Sequence, residues 1–257
     1  MMDCKYFLAL ILVICAANVR AAEDSPVVAV AANFSPALAE IVKDFTARTG
    51  KEIRISAGAT GALVRQIEQG APFELFLSAD EEHITYLYDK GLTQGHGVIY
   101  AIGVLVLYLP QTTRLNIMAE NADILKQMYN QRHLRIAIAN PELAPYGLAA
   151  KQVLQRFGQW HMLQGRVVLG ENVGQAAQFA LSGSVDAALL PYALVLNPGM
   201  QSSGQFQIIA ADWYAPIIQR MALLKNAGKT ATELYSYLTS ESALKIIRKY
   251  GYAPPSR

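Results

Sequence analysis

The chain has 257 residues, 22 Lys and Arg against 20 Asp and Glu for a formal net charge of +2, and two cysteines. Charge so close to balance, with no block of basic residues, argues against nucleic acid or an anionic membrane surface as partner. The length allows two modest domains with cores of their own. Both cysteines, Cys4 and Cys15, lie near the N-terminus, so beyond them thiol chemistry and cysteine-metal sites are excluded.

Residues 1–5 carry mixed charge and residues 6–17 are almost wholly apolar. Asn18-Val19-Arg20-Ala21-Ala22 follows, with small residues around a cut after Ala21. This pattern predicts a secretory signal peptide over 1–21, too short to span a bilayer comfortably and lacking a stop-transfer flank. Its removal takes Asp3, Lys5 and Arg20 and leaves the mature chain at net +1. A cysteine-free exported chain suits a bacterial periplasm.

Val27-Val28-Ala29-Val30-Ala31 reads as a buried strand. Ser35 is the expected N-cap, Pro36 the first helical position, and a helix over 37–48 follows with Leu38, Ile41, Val42 and Phe45 on one face. A strand at 52–56, a turn at 58–61, a short helix at 62–69 and a buried strand at 74–77 come next. A helix starting at Ser78-Ala79-Asp80 runs to residue 88. Residues 98–109 are a run of β-formers, one strand or two joined at Gly103. The pattern restarts with strands at 134–138, 167–168 and 187–190 between helices at 148–157 and 175–181. Residues 198–204, rich in Gly and Ser, read as a loop and a possible return crossing. A last strand at 217–224 precedes helices at 230–239 and 242–250, packed through Leu234, Leu238, Leu244 and Ile247.

The alternation predicts an α/β architecture of mainly parallel sheets flanked by helices. No Gly/Ser/Pro-rich linker divides the chain, as expected of two lobes that share crossing segments. The expected division is lobe I over 22–102 plus 208–257 and lobe II over 103–207.

Four loops share one design, each following a strand and feeding a helix start: Ala31-Ala32-Asn33-Phe34-Ser35, Ser56-Ala57-Gly58-Ala59-Thr60-Gly61, Asn140-Pro141-Glu142-Leu143-Ala144-Pro145-Tyr146-Gly147 and Gly170-Glu171-Asn172-Val173-Gly174-Gln175. Ligands of open α/β sheets bind beyond the carboxyl ends of the strands, where such loops gather. A helix start offers unpaired N–H groups and partial positive charge, which together suit an anion. None of the four contains Lys, Arg or His, so an anion there would be held by neutral donors. Each hydrogen bond to a charged partner contributes about 1.5–3 kcal/mol, so a ring of neutral donors can replace a cation. Plain capping and turn chemistry explains any one loop better; it is the set of four that points to a site.

Other chemistries are weaker. Ser78 with Asp80 is the one sketch of a hydrolase, and a helix cap explains both residues; no G-x-S-x-G elbow is present. His83, His96, His133 and His161 lack metal-ligand spacing. Glu142 and Glu171 are expected to face solvent, Arg65 to pair with Asp80 or Glu68, and Tyr192, Trp213 and Tyr214 to pack in the core or at a rim.

Asn33, Ser56-Ala57-Gly58-Ala59-Thr60-Gly61, Gln66-Ile67-Glu68-Gln69-Gly70-Ala71-Pro72, Phe76-Leu77-Ser78-Ala79-Asp80, Asn140-Pro141-Glu142, Pro145-Tyr146-Gly147, Gly170-Glu171-Asn172-Val173 and Lys249-Tyr250-Gly251-Tyr252 occur in that order along nearly the whole mature chain. In these the sequence resembles the periplasmic molybdate-binding proteins. The resemblance implies a two-lobed type II periplasmic binding protein fold with a ligand cleft between the lobes. It also implies a binding function rather than an enzyme's, molybdate or tungstate as ligand, no cofactor, and delivery by a single-chain carrier to an inner-membrane ABC transporter permease. Carried over by position, Asn33 would donate from backbone and side chain, Thr60 from its hydroxyl and N–H, and Tyr146 and Val173 from backbone N–H groups, with the Tyr146 phenol as an addition. Ala32, Gly61, Gly147 and Tyr192 are further candidates. Many members of the family have Ser at the positions of Asn33 and Thr60. Many also place a Tyr hydroxyl where this chain has Pro191, with Tyr192 one residue out of register. The alternatives are a binding protein for sulfate, chromate or a small organic acid, and an exported hydrolase.

Overall fold

The computed structural model describes residues 25–113, 115, 121–131 and 133–253; the expected signal segment, with Cys4 and Cys15, lies outside them. β1 (Val27–Ala31) sends Val28 and Val30 to one face and Ala29 to the other, and all three are fully buried. Both faces of this strand are therefore covered, which its unbroken apolar run requires. α1 (Ser35–Thr49) buries Ala37, Leu38, Ile41 and Phe45, an i, i+1, i+4, i+8 stripe. It stops at Gly50, which takes φ 70° and returns its N–H to the Thr46 carbonyl, a left-handed exit open to glycine.

The first half continues through β2 (Arg54–Gly58), α2 (Thr60–Glu68), β3 (Phe73–Leu77), α3 (Glu82–Asp89) and β4 (Val98–Gly103). After β5 (Leu105–Pro110) come α4 (Asn121–Asn130), β6 (Ile136–Ala139), α5 (Pro145–Arg156), α6 (Gln159–Met162), β7 (Val167–Gly170), α7 (Val173–Leu181), β8 (Ala187–Pro191), α8 (Tyr192–Val195), α9 (Pro198–Ser203) and β9 (Gly204–Ile208). A 3-10 turn at Ala211–Trp213 leads to β10 (Ile217–Leu223), α10 (Lys229–Leu238) and α11 (Glu241–Lys249).

The strands form two sheets of five, ordered β2-β1-β3-β10-β4 and β7-β6-β8-β5-β9. β1 pairs in parallel with β2 and β3, and β6 with β7 and β8. β10 is antiparallel to both its neighbours, and so is β5. One strand in each sheet thus runs against the other four, and it is the strand that arrives from the other sheet. The run at 98–109 is accordingly two strands in two different sheets, separated by Val104. Tyr192 N–H donates to the Val104 carbonyl at 2.8 Å, and Leu105 N–H to the Tyr214 hydroxyl at 3.1 Å, which pins this crossing.

Helices cover both faces of each sheet. In the first, Phe34, Leu38, Phe45, Leu234, Leu238 and Ile247 pack on one side and Leu63, Ile67, Ile84 and Leu87 on the other. In the second, Leu105, Leu107 and Leu109 face one way and Val106 and Tyr108 the other. One cluster joins the two halves, placing Ala31, Ala79 and Ile217 beside Ala144, Tyr146 and Val173.

Four expectations need correction. The N-cap of α1 is Phe34, not Ser35. Residues 198–203 are a helix, because Asn197 caps the Gly199 N–H and Pro198 starts the turn. The return crossing follows β9, over residues 209–216, and β9 itself escaped notice because Gly204-Gln205-Phe206-Gln207-Ile208 has one strongly apolar pair in a polar, Ser/Gly-led stretch. Arg65 pairs with neither Asp80 nor Glu68; those carboxylates take His83 and Lys90.

Candidate functional site

The parallel strands bring the loops after β1, β2, β6 and β7 together, where they line a small cavity of about 10 Å³. One wall is Ala31, Ala32, Asn33, Gly58, Ala59, Thr60 and Ala79; the facing wall is Ala144, Pro145, Tyr146, Asn172 and Val173. No lining residue carries a charge. Glu142 and Glu171 are exposed and stand outside the lining.

Three of the four helices that start at this cavity have no side-chain cap. Their N-cap residues are Phe34, Ala59 and Ala144, and none offers a capping oxygen. Replacing a good N-cap by alanine costs a helix about 0.5–2 kcal/mol, so three such starts at one cavity leave N–H groups available for another acceptor. In the fourth, Asn172 Oδ1 accepts from Gly174 and Gln175 at 2.9 and 3.1 Å, which leaves the Val173 N–H. Among the described residues, no protein acceptor takes the main-chain N–H of Asn33, Thr60, Tyr146 or Val173. All four residues are at most 4% exposed. Buried unpaired N–H groups are rare in folded proteins, and here four line one small space.

The side chains around them are fixed. Asn33 Nδ2 gives its two hydrogens to Gln219 Oε1 at 2.8 Å and the Tyr252 hydroxyl at 3.1 Å, and that hydroxyl donates back to the Asn33 carbonyl at 2.8 Å. The Asn33 amide therefore faces the protein, contrary to the expected side-chain donation. Thr60 Oγ1 accepts from Ala79 N–H at 3.2 Å, and its own hydrogen stays free to donate. Burial pushes the phenol pKa values of Tyr100, Tyr146 and Tyr252 above the usual 10, so all three are neutral donors and acceptors at ordinary pH.

The further candidates divide. Ala32 lines the cavity, but its N–H is spent on the Gly58 carbonyl at 2.9 Å. Gly61 lies outside the lining and donates across to the Leu143 carbonyl at 2.9 Å, linking the two halves of the chain directly. Gly147 donates to Ala144 within its own helix turn. A Cβ on Gly147 would meet the Ala139 carbonyl at 2.3 Å, so its role is close packing of helix on strand. Tyr192 does not reach the cavity: its ring packs on Phe206 and under Gly251, where a Cβ would come within 2.5 Å of it. The Tyr146 phenol touches Gln219 and Gly103, neither of which lines the cavity. Gln219, fully buried on β10, was missed in the sequence because a lone Gln in Ile217-Ile218-Gln219-Arg220-Met221 carries no motif.

The hydrolase sketch does not assemble. Ser78 is fully buried and its Oγ bonds Asp80 Oδ1 at 3.0 Å, while Asp80 Oδ2 bonds His83 Nδ1 at 2.7 Å. The imidazole thus bonds Asp80 and makes no hydrogen bond to the serine. Among the described residues, no group of three His, Cys, Asp or Glu is placed to hold a metal ion.

Two α/β halves joined by crossing strands and closed on a small neutral cavity of helix starts define a two-lobed solute-binding protein of the type II periplasmic fold. The profile of the bacterial extracellular solute-binding proteins matches residues 26–253. The molybdate-binding protein ModA of Rhodobacter capsulatus is 36% identical over 235 residues, covering 90% of this chain and 89% of that protein. ModA of Azotobacter vinelandii is 34% identical over 228 residues, 88% of each. The solved periplasmic molybdate-binding protein of Azotobacter vinelandii has a TM-score of 0.81 at 32% identity, covering 90% of this chain and 100% of that one. The chain belongs to the bacterial extracellular solute-binding protein family and, within it, to the periplasmic molybdate-binding proteins.

Proposed function

We propose that this protein captures molybdate or tungstate in the periplasm, after loss of residues 1–21, and presents it to an inner-membrane ABC transporter permease. The observation that carries the reading is the set of four unpaired N–H groups, at Asn33, Thr60, Tyr146 and Val173, on one buried, uncharged cavity. The Thr60 hydroxyl adds a fifth donor. The names of the relatives in Rhodobacter and Azotobacter support the same ligand.

Size and protonation give the selectivity. A cavity of about 10 Å³ is far below the roughly 300–1,000 Å³ of sites for larger organic ligands. Molybdate and tungstate have longer bonds to oxygen than sulfate, so a cradle spaced for them holds sulfate loosely. Phosphate at neutral pH carries a proton, and a site built of donors offers that proton no acceptor. A small organic acid would want an arginine for its carboxylate, and the cavity has none.

The protein acts as a single-chain carrier, with no catalysis and no cofactor. Its lobes are 22–102 with 208–257, and 103–207. The sheets support this division to within one residue at each boundary, since β1 to β4, ending at Gly103, form one with β10, and β5 to β9, ending at Ile208, form the other. Ligand entry and release then follow hinge opening about Val104 and residues 209–216.

A thermal-shift series with molybdate, tungstate, sulfate and phosphate tests the reading. A ligand at 100 times its dissociation constant adds about 2.7 kcal/mol, so the first two should raise the melting temperature by several degrees. Stabilisation by sulfate or phosphate instead, or by no oxyanion, would overturn it.

A further inference from the structure

We infer that Gln219 and the Tyr146 phenol form a buried joint that couples anion capture to lobe closure, with Gln219 positioning both halves of the cradle. The inference rests on the cleft reading above.

Gln219 Oε1 accepts from Asn33 Nδ2 at 2.8 Å, and the Tyr100 hydroxyl shares its one hydrogen between this oxygen at 2.9 Å and the Ser78 carbonyl at 3.0 Å. The Asn33 amide, itself held by the Tyr252 hydroxyl at 3.1 Å, sets the orientation of the Gln219 amide and turns Nε2 onto the Tyr146 hydroxyl at 3.4 Å. Asn33 precedes α1 beside the first sheet; Tyr146 rides on α5 beside the second. One side chain therefore touches an N–H-bearing residue on each wall of the cavity.

Tyr146 has two working ends. Its main-chain N–H is one of the four unpaired donors, and its phenol lies against the crossing strand at Gly103. A Cβ on Gly103 would stand 2.2 Å from that hydroxyl and 3.1 Å from Gln219 Nε2, so only glycine leaves room for the joint. Rotation of α5 away from β10 breaks the Gln219–Tyr146 contact and carries the Tyr146 N–H off the anion in the same movement. The bond is made in the closed form alone, so it favours that form, and the anion and the joint strengthen each other. This makes Gln219 and the phenol determinants of how long the ligand is held.

The test uses the mature chain and whichever oxyanion the wild type binds, with release followed by stopped-flow fluorescence of Trp160 and Trp213. Tyr146→Phe keeps the main-chain N–H and is expected to speed release about 2- to 12-fold with association unchanged within error, the range of one neutral hydrogen bond. Gln219→Met should do the same, and the double variant should be no faster than the faster single. Leu238→Ala, in the core of the first sheet, should lower the melting temperature without changing release. Wild-type release from Tyr146→Phe, or single effects that multiply in the double variant, would overturn the joint. Spin labels at Gln66→Cys and Gln155→Cys give a readout that needs no ligand: Tyr146→Phe should shift the distance distribution toward longer separations, and an unchanged distribution would also overturn it. Failure of the wild type to bind any oxyanion would strike the ligand assignment, while the distances would still decide the joint.

Discussion

The Tyr252 hydroxyl donates to the Asn33 carbonyl at 2.8 Å and accepts from the Asn33 amide at 3.1 Å, so two residues 219 positions apart satisfy each other. Phe34 packs edge-on against the Tyr252 ring, with centroids 5.2 Å apart. The C-terminal segment is thus part of the first cradle loop. Tyr252→Phe keeps the ring but orphans two buried polar groups on Asn33, each worth about 1–3 kcal/mol. We expect a fall of several degrees in melting temperature together with weaker oxyanion binding, measured by thermal unfolding and calorimetric titration.

Thr60→Val is nearly isosteric and removes the fifth donor. A lost hydrogen bond to a charged ligand is worth about 1.5–3 kcal/mol, so calorimetry should show affinity down by roughly 10- to 150-fold. The Ala79 N–H also loses its acceptor, and a small drop in stability should accompany the change. Unchanged affinity would take the Thr60 hydroxyl out of the cradle.

Gly61 sits where the halves touch. A Cβ there would lie 3.4 Å from the Leu143 carbonyl oxygen and 3.6 Å from His83 Nε2. Alanine fits tightly and valine does not. Gly61→Val should weaken ligand binding about tenfold or more, through faster release, since the added methyls hold the halves apart. Gly61→Ala should stay within about threefold of wild type in the same release measurement.

His83 gives a pH dependence of stability. Burial opposes its charged form, but the hydrogen bond to Asp80 and the charges of Asp80 and Glu82 prevail, so its pKa stands above the usual 6.5. Arg65, Glu68 and Glu142 line the same recess. A raised pKa in the folded state means the contribution is complete below pH 6.5 and is lost as pH rises through the folded value. His83→Gln should therefore cost more stability at pH 5.5 than at pH 8.5. The difference should stay within the roughly 0.2–1 kcal/mol of a partly exposed ion pair, as chemical denaturation at the two pH values would show.

Much of this was legible in the sequence because it is written in period and punctuation. Val27 to Ala31, Pro36 and Gly50 mark a strand, a helix start and a helix stop, and the structure follows them. The four cradle loops were visible as strand-to-helix turns without cations, and Asn33, Thr60, Tyr146 and Val173 do meet at one cavity. Side-chain direction was not legible. Whether Asn33 points its amide at a ligand or at Gln219 depends on a strand 186 residues away, and nothing local to Asn33 encodes it. Tyr192 misled as a ligand candidate because its place after Pro191 does not show that it opens α8 and packs its ring on Phe206. β9 was hidden because its alternation, Gln205-Phe206-Gln207-Ile208, holds only two apolar residues and follows a Gly- and Ser-rich stretch.

The strand that runs against its neighbours in the first sheet has a consequence for the order in which the molecule can be built. β10 lies between β3 and β4, yet it comes more than a hundred residues after both. The amino-terminal third of the chain thus has a gap in the middle of its sheet until residues 217–223 are at hand. The middle third draws all five of its strands from one unbroken stretch. A fragment ending after β9 should therefore contain one finished half and one waiting half, and the waiting half owns the loop that carries Asn33.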